Sequence, residues 1–196
     1  MLKVDVLIQG AADFSKEIWF DYCSTTLITT AEGKRIIVDP GSNRILLLEK
    51  LGEHNLQIND IDYVFITHSH LDHSLLAGVF PKAIVVTGSQ WWKDGVEIHN
   101  HDGSYFGKNI KIIKTSGHSH SDSYLIVDID KKKICVAGDI FWWDKHEIQE
   151  VHPGEIVSHL DRFAIDMQKL TEVRMSILKV VSYVIPGHGK PFIIDK

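Results

Sequence analysis

The segment THSHLDHS, at positions 67 to 74, contains three histidines and one aspartate within six consecutive positions. It follows a strongly apolar run that has the length and residue types of a buried strand. Alternate residues of an extended segment point to the same side, so His68 and His70 can bind one ion together. Asp72 and His73 are adjacent and must diverge as the chain turns into a helix. Imidazole and carboxylate groups suit zinc, iron or manganese, so the segment predicts two incomplete metal sites.

Further ligands must come from other segments, because four side chains cannot complete two sites. His118 in SGHS, Asp139 in AGD and His188 in PGHG each follow a strand-like run and have a glycine beside them. Glycine allows the sharp turns that bring a side chain close to a site. A lone histidine in such a turn is usually a hydrogen-bonded polar residue, but THSHLDHS supplies the partners that favour a metal ligand. No cysteine lies near THSHLDHS, so the closed thiolate site of a structural zinc is not expected.

Apolar, β-branched runs of strand length recur along the chain and must position these residues. The predicted strands are Val4–Gln9, Thr25–Thr30, Arg35–Val38, Tyr63–Thr67, Ala83–Thr87, Ile110–Thr115, Tyr124–Ile129, Lys133–Ala137 and Tyr183–Pro186. Helical periodicity predicts helices over Ser42–Leu51, Leu71–Phe80 and Glu155–Val180. The mixture of strands and helices indicates an α/β or α+β fold class.

A weak internal repeat relates these elements. In each half of the chain a hairpin ends at an aspartate, Asp39 or Asp139, a helix follows, and a later strand delivers a histidine motif. Two sheets packed face to face with helices outside, one sheet from each half, would bring both sets of strand ends to a shared edge. Chance similarity between the hairpins is the alternative explanation. The repeat therefore predicts a site at one edge of a two-sheet sandwich.

THSHLDHS, followed in order by SGHS, AGD and PGHG and preceded by IIVDPGS, resembles the motif set of the metallo-β-lactamase fold hydrolases over nearly the whole chain. The resemblance implies an α/β fold of the αββα type, with two mixed sheets face to face and helices outside. It implies two metal ions bridged by Asp139. The first ion would be held by His68, His70 and His118, and the second by Asp72, His73 and His188. Asp39 matches the first motif, whose implied role is to support the ligand loops by hydrogen bonds, although Asp-Pro-Gly is also common in turns.

Two divalent ions that share a water lower its pKa toward ~7, which makes hydroxide available at neutral pH. The expected activity is hydrolysis of an ester, thioester, lactone, amide or phosphodiester by a metal-bound hydroxide. The expected cofactors are two Zn²⁺ per chain, with iron or manganese as alternatives. Asp72 is expected to be catalytic, because it can accept a hydrogen bond from the hydroxide or coordinate the second ion. The expected substrate is a small molecule or a nucleic acid.

Other activities fit the same motifs. Persulfide dioxygenases of the resembled family hold one iron with two histidines and an aspartate, which here would be His68, His118 and Asp139. Small family members assigned as nucleases make phosphodiester cleavage a further alternative. A non-catalytic binding module would be recognised by missing ligands, and none of the motif residues is missing from this sequence.

Substrate specificity must come from the loops around the metals, and two tryptophan-rich stretches follow strand-like runs. One contains Trp91 and Trp92, and the other contains Trp142 and Trp143 directly after the AGD motif. These side chains are predicted to form an aromatic rim around the substrate. Packing at the lip of the domain or in a dimer contact is the alternative. His120, two residues beyond the SGHS histidine, is a candidate for contact with substrate or metal.

Length and composition limit the remaining possibilities. The 196 residues, 44% hydrophobic and 24% charged, predict a single metallo-β-lactamase-like domain over residues 1–196. The additional domains or helical extensions of the family's RNA-processing nucleases and glyoxalase II types are not seen, which favours a small single-domain member. A net charge of -5 argues against a nucleic-acid surface that depends on bulk positive charge.

The sequence also bears on location and redox state. Charges occur within Met1–Asp5, where a signal peptide would need apolar residues, and no apolar run reaches the ~18 residues of a membrane span. A cytoplasmic protein without membrane contact is therefore expected. Cys23 and Cys135 lie in strand-like runs and are predicted to be buried, reduced thiols. Oligomerisation is compatible with the sequence but is not predicted by it.

Overall fold

β-branched and other apolar residues build two sheets whose inner faces pack against each other. The computed structural model describes residues 1–99, 103 and 105–194. Within this part of the chain, the first half forms a mixed sheet of seven strands. In spatial order its strands are β1 (Lys3–Ile8), β4 (Thr25–Thr29), β5 (Arg35–Val38), β6 (Tyr63–Phe65), β7 (Ile84–Val86), β8 (Gln90–Lys93) and β9 (Val96–His99). A separate antiparallel ribbon consists of β2 (Ala11–Asp13) and β3 (Phe20–Tyr22).

The second half of the chain forms a sheet of five strands. Its strands, again in spatial order, are β10 (Ile110–Thr115), β11 (Asp122–Ile129), β12 (Lys132–Gly138), β13 (Tyr183–Pro186) and β14 (Phe192–Ile193). Strands β12 and β13 are parallel, and so are β5 and β6 in the first sheet. Each parallel pair therefore places two carboxyl-terminal ends at the same edge of its sheet.

Four α-helices lie in the described part of the chain: α1 (Arg44–Glu53), α2 (Leu71–Ser74), α3 (Pro153–Ser158) and α4 (Met167–Val180). Short 3₁₀ helices cover Ile58–Asp60 and Ala77–Val79. The side chains of Asn43 and Asp166 cap α1 and α4, because each accepts a hydrogen bond from a backbone N–H of the first turn. None of the described helices combines the length and the apolar character needed to cross a bilayer.

The buried side chains lie in three layers. Ile36 and Val38 of β5 point into the space between the sheets, where they meet residues of the second sheet such as Leu125. Ile37, between them in sequence, points to the opposite face and packs with α1. On the outer face of the second sheet, α4 contributes Leu170, Val173, Ile177 and Leu178. Helices thus cover both outer faces, and the predicted αββα sandwich is confirmed.

The predicted helix over Glu155–Val180 is wrong, because the chain forms α3 and α4 with a turn between them. His159 ends α3 with an extended ψ of 124°. In the turn, the buried Asp161 carboxylate accepts a hydrogen bond from the Phe163 backbone N–H at 2.8 Å. This local hydrogen bond competes with the helix that the apolar periodicity favoured. The predicted helix Leu71–Phe80 is likewise reduced to α2 and a 3₁₀ turn.

The stretch with Trp91 and Trp92 is a hairpin of β8 and β9, although the sequence was interpreted as a loop. Asp94 and Gly95 at its tip have φ angles of 50° and 79°. Two consecutive positive φ angles are typical of a type I′ turn, and Asp-Gly is a strong sequence signal for it. Strand β7 separates this hairpin from β6, which leads into the histidine motif.

Candidate metal centre

Loops that follow strands of both sheets bring the seven predicted ligands together. THSHLDHS follows β6, and its Asp72 and His73 lie in α2. His118 follows β10, Asp139 directly follows β12, and His188 follows β13. These residues converge into two groups that have Asp139 in common.

The first group consists of His68, His70, His118 and Asp139, whose ligand-type atoms all lie within 4.8 Å of one another. Asp139 Oδ2 lies 3.7 Å from His68 Nε2 and 3.4 Å from His118 Nε2. His70 Nδ1 lies 3.1 Å from His118 Nε2. Three imidazole nitrogens and one carboxylate oxygen therefore surround a common centre.

The second group consists of Asp72, His73, His188 and again Asp139. Asp139 Oδ1 lies 3.1 Å from His73 Nε2 and 3.5 Å from His188 Nε2. Asp72 Oδ2 lies 3.2 Å from both of these nitrogens. Asp139 thus directs one carboxylate oxygen at each group, which is the position expected of a shared ligand.

The donor atoms and their spacing fit divalent ions. Ligand nitrogens lie about 2.0–2.1 Å from a tetrahedral zinc, which separates neighbouring ligand atoms by about 3.3–3.4 Å. The carboxylate–imidazole distances of 3.1–3.7 Å bracket this separation. Nε2 of His68 and of His73 and one oxygen each of Asp72 and Asp139 are buried without a hydrogen-bond partner among the described residues. Buried polar atoms rarely lack partners, and metal coordination would satisfy all four.

Asp39, the residue of the IIVDPGS motif, contacts one of the candidate ligands. Its Oδ2 lies 2.8 Å from His73 Nδ1, and its carboxylate also accepts hydrogen bonds from the backbone N–H and the hydroxyl of Thr67 at 2.8 and 2.7 Å. Because Nδ1 of His73 is bound in this way, its Nε2 faces the second group. The predicted role of Asp39 is to support the ligand loops by hydrogen bonds, and its contact with His73 is consistent with that role.

Two further carboxylates contact ligands and were missed in the sequence. Asp161 Oδ2 lies 2.7 Å from His118 Nδ1, and Asp21 Oδ1 lies 3.4 Å from His188 Nδ1. Asp161 belongs to the turn between α3 and α4, and Asp21 belongs to β3. Neither residue is part of a recognisable motif, so only the fold brings them to the site.

The buried carboxylates make the second group favour positive charge. Burial alone would lower the pKa of His188, but Asp139 and Asp72 raise that pKa to about 10. Burial also opposes the charge on His73, yet Asp139 and the other acidic groups around it raise its pKa well above the usual value. Burial would raise the pKa of Asp139, but His73 and His188 hold it well below its usual range. Protons on the imidazoles or bound cations can supply the charge that the carboxylates require.

A cavity of about 600 Å³ opens onto both groups. The candidate ligands in its wall are His70, Asp72, His118, Asp139 and His188. The other described wall residues are Phe14, Trp19, Asp21, Ser69, Leu71, Trp142 and Phe163. A ligand in this cavity would therefore contact the candidate metal centre and an apolar, largely aromatic surface at the same time.

The predicted rim residues have different positions relative to this cavity. Trp142 lies in its wall, whereas Trp143 is buried against Phe192 and lines a separate cavity of about 550 Å³. Trp91 and Trp92 are half-buried on β8, and His120 is exposed after the SGHS histidine. These four are not among the described wall residues of the metal-site cavity. Trp19, the fifth tryptophan of the chain, was not predicted as a rim residue but does lie in the wall of this cavity.

Comparison with known proteins points to one superfamily. Residues 18–89 match the model of the metallo-beta-lactamase superfamily, and the matched segment includes THSHLDHS and Asp39. The metallo-beta-lactamase domain-containing protein 1 of Xenopus laevis is 28% identical over 99% of this chain and 82% of its own length. The chain is thus similar to metallo-β-lactamase superfamily proteins in sequence and in fold. Superfamily members are generally hydrolytic metalloenzymes, and the two groups around Asp139 are candidate metal ligands in this chain.

Solved structures share the fold of this chain. A putative metallo-beta-lactamase from Thermotoga maritima has a TM-score of 0.70 and 18% identity, and the match covers 98% of this chain and 99% of that chain. AidC, a dizinc quorum-quenching lactonase solved with a product, has a TM-score of 0.59 and 16% identity over 87% of this chain and 74% of its own. At these identities the likeness shows the fold alone.

Proposed function

We propose that the chain, as a single domain over residues 1–196, is a dinuclear metallohydrolase that binds two Zn²⁺ and cleaves an ester, thioester, lactone or phosphodiester. The proposal rests on the Asp139 carboxylate, which directs one oxygen at each of the two ligand groups. Its Oδ2 lies 3.4 Å from His118 Nε2 in the first group, and its Oδ1 lies 3.1 Å from His73 Nε2 in the second. The same donors would also accept iron or manganese.

Two divalent ions in these groups would supply an activated water and polarise the oxygen of the scissile bond. The protein side chains orient the ligands and handle protons. Asp39 and Asp161 bind the Nδ1 atoms of their histidine partners and so direct the Nε2 atoms to the centre. Asp72 lies in the cavity wall, and only its Oδ2 is directed at His73 and His188. Its other oxygen can therefore accept a hydrogen bond from an attacking water.

The second group argues against a single iron. In the persulfide dioxygenase alternative, His68, His118 and Asp139 would hold the iron and the second group would have no ligand role. The second group is assembled as closely as the first, with Asp139 Oδ1 3.1–3.5 Å from its two imidazoles. AidC, which shares the fold, is a dizinc enzyme, and this similarity also supports two ions.

Metal analysis of protein purified without added metal tests the dinuclear assignment. We expect close to two zinc ions per chain. A stable content of one ion that added metal cannot raise would contradict the assignment. One iron per chain, together with oxygen uptake in the presence of glutathione persulfide, would instead establish the dioxygenase activity.

Hydrolysis is tested with the metal-loaded protein and a panel of p-nitrophenyl esters, a thioester, a lactone and bis(p-nitrophenyl) phosphate. We expect turnover of at least one class, and loss of that turnover after chelation and its return after zinc is added back. Failure to hydrolyse any member of the panel with two ions bound would argue against the proposed function.

A further inference from the structure

Four aromatic side chains of the cavity, Phe14, Trp19, Trp142 and Phe163, form one cluster that we name the aromatic wall. The ring centroid of Phe14 lies 5.0 Å from that of Trp19, 5.1 Å from that of Phe163 and 5.9 Å from that of Trp142. The ring planes of these three pairs are inclined by 75–82°, an edge-to-face arrangement that is attractive between aromatic side chains. The wall is therefore a packed surface with Phe14 at its centre.

Part of the aromatic wall is accessible to a ligand. Trp142 is only 2% exposed, but Trp19 is 59% and Phe163 is 37% exposed. The Trp142 ring lies 6.4 Å from the ring of His188, so the wall reaches the second ligand group. Accessible aromatic surface in a concave site beside candidate catalytic groups is typical of ligand binding.

Contacts between two distant segments fix the position of the wall. The backbone N–H of Phe14 donates a hydrogen bond to Asp144 Oδ2 at 3.0 Å, and Lys145 Nζ forms an ion pair with Asp13 Oδ2 at 2.5 Å. These contacts join the end of β2 and the segment after it to the loop that follows β12, which carries Trp142. A surface that is ordered in advance loses little conformational entropy when it binds a ligand.

The wall of the cavity has no cationic side chain among the residues described for it. Its charged residues outside the histidines are Asp21, Asp72 and Asp139. Arg162 contacts the Phe14 ring, with the guanidinium carbon 5.8 Å from its centroid, but lines a neighbouring cavity. Proteins bind phosphodiesters and nucleic-acid backbones mainly through Arg, Lys and backbone N–H groups. The side chains of this cavity instead suit an uncharged, apolar group.

From these observations, and resting on the proposed function, we infer that the aromatic wall binds the apolar acyl chain of an uncharged ester, thioester or lactone, with Trp19 and Phe163 as specificity-determining residues. The scissile carbonyl would lie at the candidate metal centre and the acyl chain against the rings. Each methylene that the wall buries should raise affinity about fourfold. Beyond the metal ions, the described wall offers a phosphodiester no Arg or Lys side chain, whereas its rings match an acyl chain, so the phosphodiester is disfavoured as the substrate.

Binding is tested separately from hydrolysis with alkyl methyl ketones, from butanone to decanone, which cannot be hydrolysed. Tryptophan fluorescence of the metal-loaded protein reports binding, and Trp142 remains as a reporter when Trp19 is replaced. We expect affinity to rise about fourfold per methylene in the native protein. Trp19→Ala and Phe163→Ala should lose most of this dependence. Affinity that does not change with chain length in the native protein would overturn the inference.

Phe20→Ala is the matched control for both variants. Phe20 follows Trp19 directly in the sequence and is 57% exposed, close to the 59% of Trp19. It is not among the described residues of the cavity wall. We therefore expect Phe20→Ala to keep the chain-length dependence of the native protein. Equal loss in Phe20→Ala and Trp19→Ala would show that the effect is not specific to the aromatic wall, and would contradict the inference.

Hydrolysis is then compared for p-nitrophenyl esters from acetate to decanoate and for bis(p-nitrophenyl) phosphate. We expect kcat/KM to rise with chain length, and Trp19→Ala and Phe163→Ala to lower the ratio of decanoate to acetate kcat/KM at least about tenfold. Preference for the phosphodiester, or ester hydrolysis independent of chain length, would overturn the inference and leave the proposed function standing. Chain-length-dependent ketone binding without hydrolysis of any substrate would support the wall as an acyl site and contradict the proposed function.

Discussion

Asp139 Oδ1 lies 3.1 Å from His73 Nε2. This contact joins the loop after β12 of the second sheet to α2, which follows β6 of the first sheet. Gly187, which follows β13, leaves space for the Asp139 carboxylate. A Cβ atom at position 187 would overlap that carboxylate, so the first glycine of PGHG is required for steric reasons. The internal repeat of the sequence thus ends in one shared centre, to which each half contributes ligands.

Replacement of Asp139 tests the shared centre directly. Asp139→Asn should reduce bound zinc from two ions per chain to one or fewer, because the uncharged amide offers a single oxygen to the two groups. Metal analysis after gel filtration measures the content, and circular dichroism checks that the fold is retained. Asp128→Asn, an exposed position on the neighbouring strand β11, is the matched control and should keep both ions. Two tightly bound ions in Asp139→Asn would show that the carboxylate does not bridge.

Asp161→Asn tests whether the turn between α3 and α4 orients a ligand. The amide is a weaker acceptor for the Nδ1–H group of His118, so zinc affinity should fall about 10–100-fold. Competition with a chromophoric chelator measures this affinity. Asp166→Asn in the same turn is the control, because asparagine caps a helix as well as aspartate and should leave zinc affinity unchanged. If Asp161→Asn bound zinc as tightly as the native protein, the contact with His118 would have no orienting role.

The sequence predicted the convergence of the candidate ligands and the sandwich for the same reason. The ligands occur in short motifs with fixed spacing, and each motif directly follows an apolar run that forms a buried strand. Strand alternation places Ile36 and Val38 on one face and Ile37 on the other, so the pattern of apolar residues already defines the layers. Local sequence was sufficient wherever a side chain and the element that positions it are neighbours in the chain.

Of the aromatic wall the sequence predicted only Trp142, and the other three rings and Asp161 could not be predicted in this way, because non-local contacts place them. Phe14 and Trp19 lie in an irregular connection that is fixed by Asp144, 130 residues from Phe14. Asp161 and Phe163 lie in a turn that interrupts the apolar stripe of a predicted helix. Asp166 is a helix-capping residue at the start of α4 and was a signal for that break. Apolar periodicity alone cannot distinguish one long helix from two in register.

The two buried cysteines give a prediction about thiol reactivity. Burial raises the pKa of Cys23 to about 12 and raises that of Cys135 as well. Because the thiolate is the reactive form, neither residue of the folded protein should react with Ellman's reagent at about pH 8, and both should react after unfolding. Unfolded thiols titrate near pH 8.5, so the unfolded state releases these protons first. The free energy of unfolding should therefore fall as the pH rises above about 8.5. Rapid labelling of a thiol in the folded protein would contradict the burial.

Metal removal should lower the melting temperature, because the candidate ligands come from loops of both sheets and unfolding separates them. Ions that bind only the native state stabilise it by about 2.7 kcal/mol at a concentration 100-fold above Kd. For a chain of this length that corresponds to about 5–10 °C. Differential scanning fluorimetry before and after chelation, with zinc added back, measures the shift. Asp139→Asn should show a smaller shift than Asp128→Asn, since only the first change affects the shared ligand. An unchanged melting curve after verified metal removal would show that the αββα core alone determines stability.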